Sequence, residues 1–170
     1  MGKIKMPQEK TYKDKILDYV YTLSKQPLLL KDLLDANRQY NEGMHVDPSR
    51  LGFRLKLGRA YQVYVLIVLA IVIPISAITH TPLAKINSHI SILGAMLITA
   101  AIFIGFNFFR ARLRDEITLR QIKKSWRLRF PYFSYEDYRY KVEEIYQKAM
   151  KEEVSKKDLE KYILDNLVEE

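Results

Sequence analysis

Cysteine is absent from this chain, which excludes disulfide staples, thiolate zinc sites and cysteine nucleophiles and is compatible with a reducing compartment. Histidine is scarce: His45, His80 and His89 are scattered, and none has the i, i+4 partner and adjacent Glu that zinc hydrolysis needs. A metal or pH-sensing role for His80 and His89 would need further ligands, so the pair is expected as ordinary solvated loop residues. No phosphate-cradling glycine loop occurs either. The stretch GFRLKLGR spaces Gly52 and Gly58 six apart and lacks the G-x-x-x-x-G-K-[ST] pattern, and there is no nucleophile elbow. The expectation is a non-enzymatic protein with no catalytic residue, no metal ligand and no cofactor.

Charge is missing locally from a chain that is otherwise 28% Asp, Glu, Lys and Arg. No such residue occurs from Ala60 to Ala84, where Tyr61–Thr79 is nineteen residues mostly of Val, Ile, Leu and Ala, nor from Ile86 to Phe109. As a helix the first run is roughly 29 Å long, close to the hydrocarbon thickness of a bilayer. A soluble bundle would have to cover two such rods on all sides, and the rest of the 170 residues is too little for that. The fold class expected is therefore an all-α membrane protein, a two-span helical hairpin with helical cytoplasmic N- and C-terminal regions. The spans fall at about 61–80 and 89–109 with an outer loop at 81–88, which leaves 1–58 and 110–170 as cytoplasmic parts flanking a hairpin of 59–109.

Basic residues near span ends resist translocation and so set orientation. Arg50, Arg54, Lys56 and Arg59 precede the first run, and Arg110, Arg112, Arg114, Arg120, Lys123, Lys124, Arg127 and Arg129 follow the second, against Lys85 alone between them. Both termini are expected in the cytoplasm of a bacterial inner membrane or an organelle membrane. The N-terminus, MGKIKMPQEKTYKDK, is basic without the apolar core and cleavage site of a secretory signal, and Met6 departs from the myristoylation pattern. Tyr61 and Tyr64, with Phe106, Phe108 and Phe109, stand where an aromatic belt belongs. Pro74 suggests a kink, or more sharply a hinge, with Ser76 and Thr79 available to satisfy freed carbonyls. Gly94, Ile98, Ala101 and Gly105 share one face at spacings of four, three and four, a small-residue stripe that admits another helix, either the first span or a second copy.

Outside the spans, Tyr12 to Leu23 and then LLLKDLLDANRQY after Pro27 repeat at helical spacing. NEGMHVDPSR is turn-rich. Leu51, Phe53, Leu55 and Leu57 alternate with Gly52, Arg54, Lys56 and Gly58, which reads as a strand or as an interfacial segment; the latter is preferred because no partner strand is visible. No proline occurs from Ser88 to Arg129, so the second span is expected to run on as one helix of about forty residues and roughly 60 Å. Pro131 ends it. Ser134 then opens a helix with Val142, Ile145 and Ala149 on one face, and Ser155 caps another with Leu159, Ile163 and Leu167. Residues 130–170 carry seven basic and eleven acidic groups whereas 1–60 carry twelve basic and seven acidic, so the two cytoplasmic parts are expected to dock on each other.

The net charge of +8 points to polyanions. Arg54, Arg59, Arg110, Arg112, Arg114, Arg120 and Lys124 are read as contacts to anionic lipid headgroups or a partner, with nucleic acid the less favoured polyanion because the positive-inside flank explains the same charges. The aromatic run around Trp126, Tyr132, Phe133 and Tyr135 is read as a partner interface. The function expected is a membrane-anchored accessory or scaffold subunit contacting other subunits of a membrane complex. The alternatives are a small homo-oligomeric pore or membrane effector, and a membrane-tethered nucleic-acid binder.

Overall fold

A computed structural model describes residues 11–24, 26–83 and 88–168. The expectations about residues 1–10 and about Lys85 fall outside them, as do the side chains of His80 and His89. In chain order the elements are α1 (Tyr12–Val20), β1 (Tyr21–Leu23), α2 (Leu30–Asn41), β2 (Phe53–Leu55), α3 (Leu57–Leu83), α4 (Ser88–Arg129), α5 (Tyr135–Lys151) and α6 (Leu159–Val168). The described chain is mostly helical, and α3 and α4 are each long and apolar enough to cross a membrane. Two compact units divide it: unit 1 is Met1–Thr22 with Leu55–Asp115, and unit 2 is Leu23–Arg54 with Glu116–Glu170.

The strand reading of the Leu51–Leu57 alternation prevails at Phe53–Leu55, because a partner strand does exist. Tyr21–Leu23, expected as the last turn of the first helix, is extended and pairs with it. The Ser24 N–H donates to the Gly52 carbonyl at 2.6 Å, and the Lys56 N–H donates to the Val20 carbonyl at 2.8 Å. Those two bonds bracket the ladder and make it antiparallel. Leu51 and Phe53 are buried, so the first half of the apolar set faces protein, whereas Leu55 is half-buried and Leu57 exposed. Gly52 sits at φ 63°, and a Cβ there would lie 3.0 Å from that of Ser24, which is why glycine occupies the turn.

In unit 1, α1 buries Leu17 and Val20 and packs on α3. The Tyr19 hydroxyl donates to Gln62 Oε1 at 2.7 Å, while the Arg59 guanidinium donates to the Tyr19 carbonyl at 3.3 Å and lies 4.9 Å from its ring centre. Helix α3 continues through Pro74 without interruption. Thr79 Oγ1 donates to the Ile75 carbonyl at 2.8 Å. The 42 residues of α4 form a single helix of about 63 Å, as the absence of proline predicts.

In unit 2, α5 packs against both α2 and α6, so residues 23–54 and the C-terminal tail share one body. Its buried side chains include Leu33, Leu34, Trp126, Val142, Tyr146 and Ile163. Ser134 caps α5 as expected, accepting from the Asp137 N–H at 3.3 Å. Ser155 instead closes a turn before α6, which begins at Leu159. Helices α2 and α5 end alike: the Met44 N–H reaches the Gln39 carbonyl and the Val154 N–H the Ala149 carbonyl, each after a residue of positive φ. In α2 that residue is Gly43; in α5 it is Glu153, at φ 56°. A side chain is disfavoured in this conformation, so Glu153→Gly should stabilise unit 2 by about 0.5–1 kcal/mol, measurable by denaturant titration, whereas a loss of stability would show that Glu153 makes a compensating contact.

Candidate functional site

On the small-residue face of α4, Gly105 is occupied from within the chain. The Tyr64 hydroxyl donates to the Ile102 carbonyl at 2.6 Å and lies 2.5 Å from where a Gly105 Cβ would stand. Tyr61 stacks on Phe106 with ring centres 4.0 Å apart, and Tyr64 meets Phe106 and Phe109 at 5.3 Å each. These rings, expected as a belt, here join α3 to α4. Among the described residues nothing lies within 4 Å of a Cβ at Gly94, Ile98 is 57% exposed, and Ala101 and Pro74 are exposed too. None of the apolar window of α3 and 6% of that of α4 is buried.

The basic residues separate by unit. In unit 1, Arg59, Arg110 and Arg112 are exposed, and Arg114 is half-buried with its Nε 3.6 Å from Asp115. Arg110 and Arg114 also act on Tyr21, whose hydroxyl is pushed from the ordinary 10.0 up to about 12 because burial outweighs their positive charge. In unit 2, Arg54 and Lys124 are exposed and Arg120 is half-buried. Two α4 cations are bound to the acidic tail: Lys123 pairs with Glu136, and Arg129 with Glu160 at 3.1 Å.

The aromatic cluster read as one interface divides in two. Trp126 is fully buried; its Nε1–H donates to the Phe133 carbonyl at 2.9 Å, and its ring packs on Phe130 at 4.9 Å and edge-on to Tyr135 at 5.2 Å. Tyr135 is buried as well, so both belong to the core of unit 2 and leave little surface for a partner. Phe133 is half-buried against Tyr138 at 5.0 Å, and Tyr132 alone projects, 93% exposed. Periodicity puts aromatic side chains on a face but does not say which of them the chain's own reversal at Pro131 folds under.

Sequence reading missed the polar seam between α2 and α5. Buried Asn37 donates to the Arg139 carbonyl at 2.9 Å, Asn41 to Glu143 Oε2 at 2.7 Å, and the Tyr146 hydroxyl to Asp35 Oδ1 at 2.8 Å. The available signal was Asn37 and Asn41 at i, i+4 on the apolar side of α2, where polar side chains need partners. Burial and the Asp35 carboxylate push the Tyr146 hydroxyl upward, and burial pushes Tyr135 up to about 12. The unfolded chain releases these protons near 10.0 while the folded one still holds them, so this stability is complete below pH 10 and declines as pH rises toward 12. Melting followed by circular dichroism should show Tm falling across that window; a flat Tm would contradict the assignment.

Among the described residues no group of three or more His, Cys, Asp or Glu is placed to hold a metal ion. Comparisons with protein-family models, with curated proteins and with solved structures find no match.

Proposed function

We propose that this chain is a two-span integral membrane protein, a helical hairpin with both termini in the cytoplasm, which serves as a non-enzymatic accessory or scaffold subunit of a membrane complex. The observation that carries the reading is that α3 and α4 expose their apolar windows almost entirely, whereas a core helix of a water-soluble protein would be mostly covered. Lipid is the cover this reading supplies. The basic flanks Arg59, Arg110 and Arg112 then lie at headgroups on the cytoplasmic side. Unit 2, beginning on the same continuous helix, is the part presented to a partner through exposed residues such as Tyr132 and Leu128.

Because Tyr135 is buried and Tyr132 is not, the informative substitution is Tyr132→Ser. It should lower partner co-purification from mildly solubilised, cross-linked native membranes at least several-fold, with membrane insertion and the melting of unit 2 unchanged. Undiminished recovery would remove Tyr132 from the interface.

One observation favours a second reading, a homo-oligomeric pore or effector: Ile98 and Ala101 are exposed, and among the described residues nothing stands against Gly94, on the face where a further helix can approach closely. This reading requires ion flux from purified protein in liposomes and its loss in Gly94→Leu; a silent bilayer would eliminate it.

A further inference from the structure

We propose that the groove between α2 and α5 in unit 2 is a binding site for a phosphate-bearing anion, either a soluble phosphomonoester or the phosphate of a lipid headgroup. This inference does not depend on the scaffold reading.

The groove is open to solvent and has a volume of about 450 Å³, within the range of small-ligand sites. Lys31, Asp35 and Arg38 line it from α2, and Tyr146, Gln147 and Lys151 from α5. Its one carboxylate is already engaged. Asp35 accepts from the Tyr146 hydroxyl at 2.8 Å and lies 3.7 Å from Arg50, with its side chain only 15% exposed. Lys31, Arg38 and Lys151 are thus left lining the groove without a carboxylate partner among the described residues. Asp32, whose charge reaches Tyr146, is not part of the lining.

A second observation concerns Arg38 itself. Its Nε is buried without a hydrogen-bond partner, a state that buried polar groups rarely occupy. An anion seated in the groove that Arg38 lines is met by the terminal nitrogens of the guanidinium. Phosphate suits the set because its several charged oxygens can take the planar guanidinium fork and two ammonium groups together, with the Gln147 amide as a further donor. The polar seam from Asn37 and Asn41 to α5 holds the two helices that carry these cations in register.

The test uses the full chain in neutral detergent micelles, titrated calorimetrically with inorganic phosphate and, separately, with a short-chain phosphatidic acid. Saturable binding of at least one probe is expected, weakened about tenfold or more by Arg38→Gln and also weakened by Lys151→Gln, an exposed position whose replacement leaves the fold intact. The double variant Lys156→Gln/Lys157→Gln removes two exposed charges outside the groove and should bind as the parent does. Tighter binding of the phosphatidic acid assigns the site to lipid, and equal binding assigns it to soluble phosphate. No saturable binding of either probe, or equal weakening in the Lys156/Lys157 variant, overturns the proposal.

Discussion

Trp126→Ala is expected to unfold unit 2 while leaving α3 and the apolar part of α4 helical and membrane-bound. The indole is fully buried, contacts Phe130 and Tyr135, and satisfies the Phe133 carbonyl at the reversal after α4. Deleting a buried aromatic of this size costs about 3–5 kcal/mol, comparable with the whole stability of a marginal domain at about 5 kcal/mol. Limited proteolysis should therefore cut the variant within residues 130–168 under conditions where the parent resists. Trp126→Phe keeps a ring and loses the N–H bond, so its loss should be smaller, near 1–2 kcal/mol. Since this is the chain's only tryptophan, the parent should show blue-shifted emission that aqueous quenchers barely reach. An alanine variant as protease-resistant as the parent would show that the reversal does not depend on the indole.

The second large effect is expected at Gly105. Any side chain there enters the volume of the Tyr64 hydroxyl, which a Cβ would approach to 2.5 Å, so Gly105→Leu must expel Tyr64 and break its bond to the Ile102 carbonyl. Overpacking of about 1–3 kcal/mol adds to about 1 kcal/mol for the hydrogen bond, and the Tyr61–Phe106 stack is strained as the helices part. Paired cysteines at positions 61 and 106, introduced into a chain with none of its own, should be joined by a short bismaleimide in the parent and several-fold less in Gly105→Leu. Trp126 emission, reporting on unit 2, should not change. Gly94→Leu is the matched control, because none of the described residues stands within 4 Å of a Cβ there; equal cross-linking loss in both would mean that the Tyr64 notch is not what holds the helices.

Where one element's own pattern suffices, the sequence is a reliable guide to this structure. The two apolar runs, the proline-free continuity of α4, the stop at Pro131 and the Ser134 cap are all local signals, and each appears in the fold. The misses involve partners far apart in the chain. The Tyr21–Leu23 strand exists because Phe53–Leu55 pairs with it some thirty residues later, and nothing within either triplet announces the other. Trp126 and Tyr135 look like a docking surface until the reversal folds them inward. The α2–α5 seam relies on Asn37 and Asp35 meeting residues more than a hundred positions away. The candidate groove is in the same class: Lys31, Arg38 and Lys151 become a set only when two helices distant in sequence are laid together.

The absence of native cysteine allows a clean measurement of membrane topology. Single cysteines at Thr11, Lys85 and Lys161 would be reacted with a membrane-impermeant maleimide, applied first to intact cells and then to inverted vesicles. The account predicts that Lys85→Cys is labelled from the outside only, and that Thr11→Cys and Lys161→Cys are labelled from the cytoplasmic side only. All three labelling from the same side, or release of the protein from membranes by alkaline carbonate, would contradict it.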